Sequence, residues 1–371
     1  MFSKSISSNW VNRDNNSWNV NLIFAQKIFD LLHQNKSVWV GEKNEIIESK
    51  ECDNELGPFL YFLTGGSSGQ KKWIQHNEES MKSAVNGLRE FLNLDSISSW
   101  CCLPLNHVGG MMQVVRAIET GGQVFFFDYH NLLQDLGTKP FGNWISLVPT
   151  QLFRLVKNNT ACENLIKFKG IFLGGALLSK KLAEECRDKN LPIYYSYGMT
   201  ETSGMVSMQK KEDFLKGNYG VGKCLPHANL KLRENDNRIL VYSKSMALNV
   251  NLKLIENKSW LLTPDIGKMY KHGNWQIDGR TDRIVISGGE NISLDHIEKI
   301  LSQYEYVNAC LVKSQDDEEW GKVLVAYIVA SNANLEKIIS YAKQGLPQFH
   351  VPKIWKVCEN LPVSEMGKPK I

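Results

Sequence analysis

The amino-acid sequence predicts an α/β fold: a large N-terminal domain with mainly parallel sheets and a β-rich subdomain, then a small α+β C-terminal domain. From about residue 59 short apolar runs alternate with segments of helical period, a pattern that calls for crossover helices and a parallel sheet. After about residue 217 short strands broken by turns take over, and beyond Arg283 strands and helices resume in a compact unit. At 371 residues and 43% apolar content the chain exceeds one ordinary core and supports about two domains. The boundary is expected near Asp282, dividing residues 1–281 from 282–371.

In the first part "WCCLPL" leads into "GGMMQVVRAIET", "QVFFF" follows, "WISLVP" leads into "TQLFRLVKN", "GIFLGG" into "SKKLAEECRDKN", and "IYYSYG" closes the series. "HNEESMKSAVNGLREFLNL" reads as a helix with Asn77 as N-cap, Glu78 and Glu79 in the first turn, and Met81, Ala84, Val85, Leu88, Phe91 and Leu92 along one face. "GKMYKHGNWQIDGR" reads as a hairpin with its tip at Gly273 and Asn274. The last part holds a capped helix "SLDHIEKILSQ", the strands "VNACLVK" and "KVLVAYIVA" around an acidic loop, the helix "NLEKIISYAKQGL" and the strand "KIWKVCE".

Lys and Arg exceed Asp and Glu by 43 to 39, spread along the chain with no basic block, so nucleic acid is not an expected partner. Eight cysteines without a C-x-x-C pair argue against a zinc site or a disulfide framework, and reduced thiols in the cytoplasm are expected. The N-terminus has no apolar core of a leader, and no run approaches the ~20 apolar residues of a membrane span, so no integral membrane segment is expected.

"YFLTGGSSGQKKWIQ" places a glycine- and hydroxyl-rich turn after an apolar run. Such a turn wraps backbone N–H groups and hydroxyls around phosphate oxygens, or is an ordinary polar surface turn. It does not fit G-x-x-x-x-G-K-[ST], because Gln70 follows Gly69, so a P-loop NTPase is not expected.

Taken with "PLNHVGG", "FLGGALL", "YYSYGMTET", "TPDIG", "GRTDRIVISGGENIS" and "PVSEMGKPK", in that order, the loop resembles the adenylate-forming superfamily of acyl-CoA synthetases, adenylation domains and luciferases. Within it the chain is similar to the o-succinylbenzoate-activating branch. The resemblance runs from about residue 59 to the end. It implies ATP, Mg²⁺ and coenzyme A as cofactor and co-substrates, a small-molecule carboxylic acid as substrate, and a mobile C-terminal domain. A homo-oligomer is compatible with it.

Carried over residue by residue, the resemblance implies that Thr64, Gly66, Ser67, Ser68, Gly69 and Lys72 hold the β- and γ-phosphates. Gly174, Gly175 and Ala176 form the adenine wall, with Tyr197 stacking on the base and Gly198 beside it. Glu201 is the metal ligand, since Mg²⁺ on phosphates takes one or two carboxylates, and Thr200 is a phosphate donor. Asp265 accepts from the ribose hydroxyls and Arg280 reaches the ribose or phosphate side. His107 and Ser196 line the acyl pocket, where Gly109 and Gly110 open space. Asp282 is the hinge, Gly288 and Gly289 line the thiol tunnel, and Lys368 is the catalytic cation between the substrate carboxylate and the α-phosphate.

The pattern departs from the family at Gly65, Lys71, Trp73, Pro264 and Arg283, has no arginine after Lys368, and carries a shorter stretch before the phosphate loop. The N-terminal subdomain is therefore expected to be trimmed. The competing readings are a fatty-acyl or other aryl-acid ligase, a carrier-loading domain, and a non-catalytic adenylate-binding homologue. The last would be marked by loss of Lys368, Glu201 or Asp265, and all three are present.

Overall fold

The structure is a computed structural model describing residues 10–12, 19–41, 44–52, 55, 57–65, 71–136, 142–250, 253–254, 260–287, 290–317 and 321–361. Its centre is an eight-stranded sheet ordered Trp10–Asn12, Val124–Phe126, Ser99–Cys101, Trp144–Leu147, Gly170–Leu173, Ile193–Met199, Gly204–Gln209 and Lys223–Cys224. The first six strands run parallel and the last two antiparallel. "WISL" and "GIFL" are buried along their whole length because helices cover both faces of the sheet. One hydrophobic cluster joins the sheet to helices Pro149–Leu155, Asn159–Ile166 and Lys180–Asp188. A second joins it to Asn19–His33, Glu78–Leu92 and Val108–Thr120.

A six-stranded sheet carries the hairpin Leu60–Gly65 and Lys71–His76, and a four-stranded antiparallel sheet forms the β-rich section. In that second sheet Arg238–Ser243 alternates half-exposed and buried positions, as expected where one face meets water. The structure places the turn after Leu261–Tyr270 at Lys271–Gly273, so Gly273 lies in it as expected and Asn274 does not. His272 and Gly273 both take left-handed backbone there, at φ 64° and 76°, and Asn274 already begins the return strand.

Helix Glu78–Leu92 starts as its sequence dictates. The Asn77 side chain accepts from Ser80 N at 3.0 Å, and Glu78 and Glu79 sit against the positive end of the helix dipole. Helix Val108–Thr120 differs from expectation at Gly110. A Cβ at Gly110 would overlap the Pro104 carbonyl, so this glycine lets the helix press onto backbone and opens no pocket space.

A third cluster, drawn from residues 285–357, fills the C-terminal unit. Helices Leu294–Leu301 and Leu335–Gly345 pack on the sheet of Ala309–Asp317, Gly321–Val329 and Ile354–Val357. The unit meets the larger part through the Lys181 ammonium, which donates to the Glu305 carbonyl at 2.9 Å and the Val307 carbonyl at 3.2 Å. Among the described residues no helix is long and apolar enough to cross a membrane, and no cysteine is in a disulfide.

Arg283, unusual for its motif, finds its reason here. It is buried, bonds Asp295 and both oxygens of Glu298, and donates to the Val312 carbonyl at 3.0 Å. An acid in its place would face two carboxylates, whereas the guanidinium neutralises them. Arg283→Ala, which strands the buried Asp295 and the half-buried Glu298 carboxylates, is expected to lower the unfolding free energy by about 3–5 kcal/mol in urea titrations.

Candidate active site

Parallel strands deliver all their following loops to one edge, and ligands of such sheets bind there. Three candidate segments emerge on that edge. His107 follows Ser99–Cys101, Gly174 to Ala176 follow Gly170–Leu173, and Tyr197 to Glu201 end Ile193–Met199 and begin the next turn.

His107 is the N-cap of helix Val108–Thr120, in extended backbone and half-buried. Gly174 to Ala176 form an accessible turn. The Tyr195 hydroxyl clamps it, donating to the Ala176 carbonyl at 3.3 Å and accepting from Leu178 N at 3.0 Å. The Ser196 hydroxyl is buried and donates to the Leu173 carbonyl at 3.0 Å, so it braces the neighbouring strand.

The strand pairs in parallel with Gly170–Leu173 from Ile193 to Tyr195 and antiparallel with Gly204–Gln209 from Tyr195 to Met199, with a bulge between Tyr197 and Gly198. Gly198 there lies against the Gly204 backbone with no room for a Cβ. The reversal is made by Thr200 to Thr202 and by Ser203 in left-handed backbone at φ 52°. Its three consecutive carbonyls are each held at 2.7 Å: Thr200 by His76 Nε2, Glu201 by Ala247 N, and Thr202 by the Ser245 hydroxyl. The backbone is thereby fixed, while the half-buried Glu201 carboxylate has no hydrogen-bond or ion-pair partner among the described residues.

Tyr197 reaches the four-stranded sheet. Its hydroxyl donates to Asp265 Oδ2 at 2.7 Å, and Arg280, directly opposite Asp265 on the paired strand, donates from Nη1 to Oδ1 at 3.1 Å. Asp265 is buried, which raises its pKa, while the Arg280 charge and the Tyr197 hydrogen bond work the other way. Burial and then the Asp265 carboxylate hold the Tyr197 hydroxyl well above the tyrosine range, so it stays a donor. A carboxylate has about four acceptor positions, so two remain on Asp265. Arg280 also forks onto both oxygens of Asp282, at 2.8 and 2.7 Å.

The structure thus gathers Ser196, Tyr197, Gly198, Thr200, Glu201, Asp265, Arg280 and Asp282 around one strand end. Thr64 and Lys72 face each other across the hairpin mouth, with the Thr64 hydroxyl 3.4 Å from the Lys72 carbonyl. Gly66, Ser67, Ser68, Gly69, Gly288, Gly289 and Lys368 lie outside the described residues.

Two residues of this neighbourhood escape a reading by motif. His76 is fully buried and pulled down to about 4 by burial. Its only local signal is its place before the Asn77 cap, because the turn it holds lies 124 residues away. Arg116, in helix Val108–Thr120, is buried with its guanidinium 5.4 Å from the Phe172 ring centre and Nη1 without a hydrogen bond among the described residues. On a helical face it reads as an ordinary polar position.

A hairpin of one sheet, a glycine-ended strand of a second and a tyrosine reaching an aspartate–arginine pair on a third, with a separate α+β unit beyond, fit a nucleotide-binding enzyme of the adenylate-forming class. Residues 22–243 match the family described as AMP-binding enzyme and residues 296–368 the AMP-binding enzyme C-terminal domain, and the chain belongs to that family. It is 31% identical over 335 residues to a 2-succinylbenzoate–CoA ligase of Oceanobacillus iheyensis, with 84% of this chain and 68% of that one covered. It is 31% identical over 316 residues to one of Listeria monocytogenes, at 82% and 67% coverage. Among solved structures, the o-succinylbenzoate coenzyme A synthetase from Bacillus subtilis with AMP superposes with TM-score 0.68 at 23% identity, covering 89% of this chain and 70% of that one. The same enzyme with its acyl-adenylate intermediate gives 0.69 at 23% identity, with coverage of 97% and 77%.

Histidines buried neutral make the fold acid-sensitive. His76 and His227, the latter packed against Gly87, are each lowered by burial from 6.5 to about 4. The unfolded chain therefore binds their protons first, and stability is lost as pH falls from about 6.5 toward 4. The stability difference between the parent and His76→Gln is expected to narrow by up to about 3 kcal/mol between pH 7 and 4 in urea titrations.

Proposed function

We propose that the protein is an AMP-forming acid:coenzyme A ligase that activates o-succinylbenzoate as its acyl adenylate and passes the acyl group to coenzyme A. The observation that carries this is the bonded Tyr197–Asp265–Arg280 group, set at the same strand end as a Glu201 carboxylate that has no partner among the described residues. The names of the 31%-identical relatives support the choice of acid.

ATP binds across the sheet edge, its adenine against Gly174 to Ala176, its ribose hydroxyls on the free acceptor positions of Asp265, and its phosphates under the 66–70 loop and the Thr200 hydroxyl. The donor set suits magnesium. Among the described residues no three metal-ligating side chains cluster, and one free carboxylate at Glu201 fits an ion that arrives with phosphate oxygens. Bound there, Mg²⁺ offsets phosphate charge. A substrate carboxylate oxygen attacks the α-phosphorus, the bond to pyrophosphate breaks, and Lys368 balances the charge of two anions meeting. The coenzyme A thiolate then attacks the acyl carbonyl and AMP leaves.

Two acceptors at one adenylate call for two arrangements of the 282–371 unit. Asp282 is the pivot, with Gly288 and Gly289 lining the thiol path in the second arrangement. The Arg280 fork onto Asp282 restrains the pivot in the first. The reactants are small and water-soluble, in keeping with a cytoplasmic enzyme.

Pyrophosphate release with competing acids tests the substrate. Turnover with o-succinylbenzoate is expected to exceed that with palmitate or benzoate at least about tenfold, about 1.4 kcal/mol of discrimination. A preference for palmitate would move the chain to a fatty-acyl role. Lys368→Ala is expected to slow adenylation about a hundredfold or more while sparing thioester formation from a supplied acyl adenylate. Equal loss in both half-reactions would make the tail structural.

A further inference from the structure

We propose that His76 is a positioning residue: through its Nε2–H bond to the Thr200 carbonyl it sets where the Thr200 hydroxyl and the Glu201 carboxylate stand at the end of strand Ile193–Met199. This rests on the roles given to Thr200 and Glu201 above.

His76 is the last residue of Lys71–His76, the strand by which the chain returns from the 66–70 loop. A backbone carbonyl only accepts, so the 2.7 Å contact to Thr200 O puts the proton on Nε2. Nδ1 is then the acceptor, 3.0 Å from the Ser203 hydroxyl and 3.2 Å from that of Ser80. Those hydroxyls also reach the Ser245 carbonyl at 3.2 Å and the Asn77 carbonyl at 2.9 Å. The ring is neutral at working pH because burial has lowered its pKa, so one tautomer is fixed and no competing charge faces a bound anion.

The same strand end anchors the turn twice. Leu248 N donates to the Gln75 carbonyl at 3.0 Å, and its neighbour Ala247 N holds the Glu201 carbonyl. Strand Lys71–His76 and the turn are therefore joined through Gln75 and His76, and of these two ties only that of His76 runs through a side chain. Outer partners of ligand-bearing groups act by orientation, and losing one typically costs about ten- to a hundredfold.

The experiment uses His76→Phe, His76→Gln, His76→Asn, Glu201→Gln and the double variant His76→Phe/Glu201→Gln. It reads magnesium-dependent ATP binding by calorimetry, which needs no acid, and pyrophosphate release with o-succinylbenzoate. His76→Phe is expected to lose about ten- to a hundredfold in the magnesium-dependent readouts. His76→Gln, whose side-chain amide can still donate to Thr200, recovers most of the loss. His76→Asn, too short to reach it, does not recover. The double variant should cost no more than Glu201→Gln alone, since both act on one contact. Additive losses, parent-like magnesium dependence in His76→Phe, or equal behaviour of Gln and Asn would overturn the proposal. If His76→Phe does not fold, the Gln and Asn pair still decides. A parent-like Glu201→Gln would instead remove the metal role of Glu201.

Discussion

The site depends on one topological constraint: strand Ile193–Met199 has a parallel neighbour on one side and an antiparallel one on the other. The chain must reverse within a few residues at the very edge where the parallel strands end. That forces a tight turn and a left-handed Ser203, whose N–H donates to the Thr200 carbonyl at 3.2 Å. Left-handed backbone at a non-glycine residue costs of order 1–3 kcal/mol and persists only where its surroundings over-determine it. Here His76, Ser245 and Ala247 supply that determination, the buried Thr202 and Ser203 hydroxyls are bonded within the fold, and only the Thr200 and Glu201 side chains of the turn lack a hydrogen bond among the described residues.

Charge is organised around the same edge. Asp265 is buried yet held by one hydroxyl and one guanidinium, so it can face a polar ligand without an uncompensated charge. Arg280 divides its donors between Asp265 and Asp282, and its backbone N–H bonds Asp295 at 2.7 Å in the first turn of helix Leu294–Leu301. One short stretch of chain therefore links Asp265, Asp282 and the C-terminal unit. Arg283 completes the link from within the smaller core, which is why its departure from the motif is accommodated.

Much of the architecture is legible in the sequence because burial on two faces demands continuous apolar strands, and burial on one face demands alternation. "WISL", "GIFL" and "RILVYS" carry those signatures directly. Helix Asn159–Ile166, capped by the Asn158 side chain, and the strands before residue 59 are less legible, because short elements carry too few residues to establish a period. The glycines of "NHVGG" illustrate the limit. A sequence shows that a Cβ is missing at Gly110, but not whether the vacated space goes to a ligand or, as here, to the Pro104 carbonyl.

The sequence by itself determined the order of the motifs, the parallel-sheet core and the chemical types at the site: a carboxylate after a hydroxyl at Thr200 and Glu201, an aspartate at 265, an arginine at 280. Local spacing and composition suffice for these. Only the tertiary structure decided that Tyr197 bonds Asp265, that Arg280 is shared with Asp282, and that a buried neutral His76 holds the Thr200 turn. The Tyr197–Asp265 and His76–Thr200 pairings join segments of different sheets 68 and 124 residues apart, where register and burial set which groups meet and the spacing along the chain carries no signal.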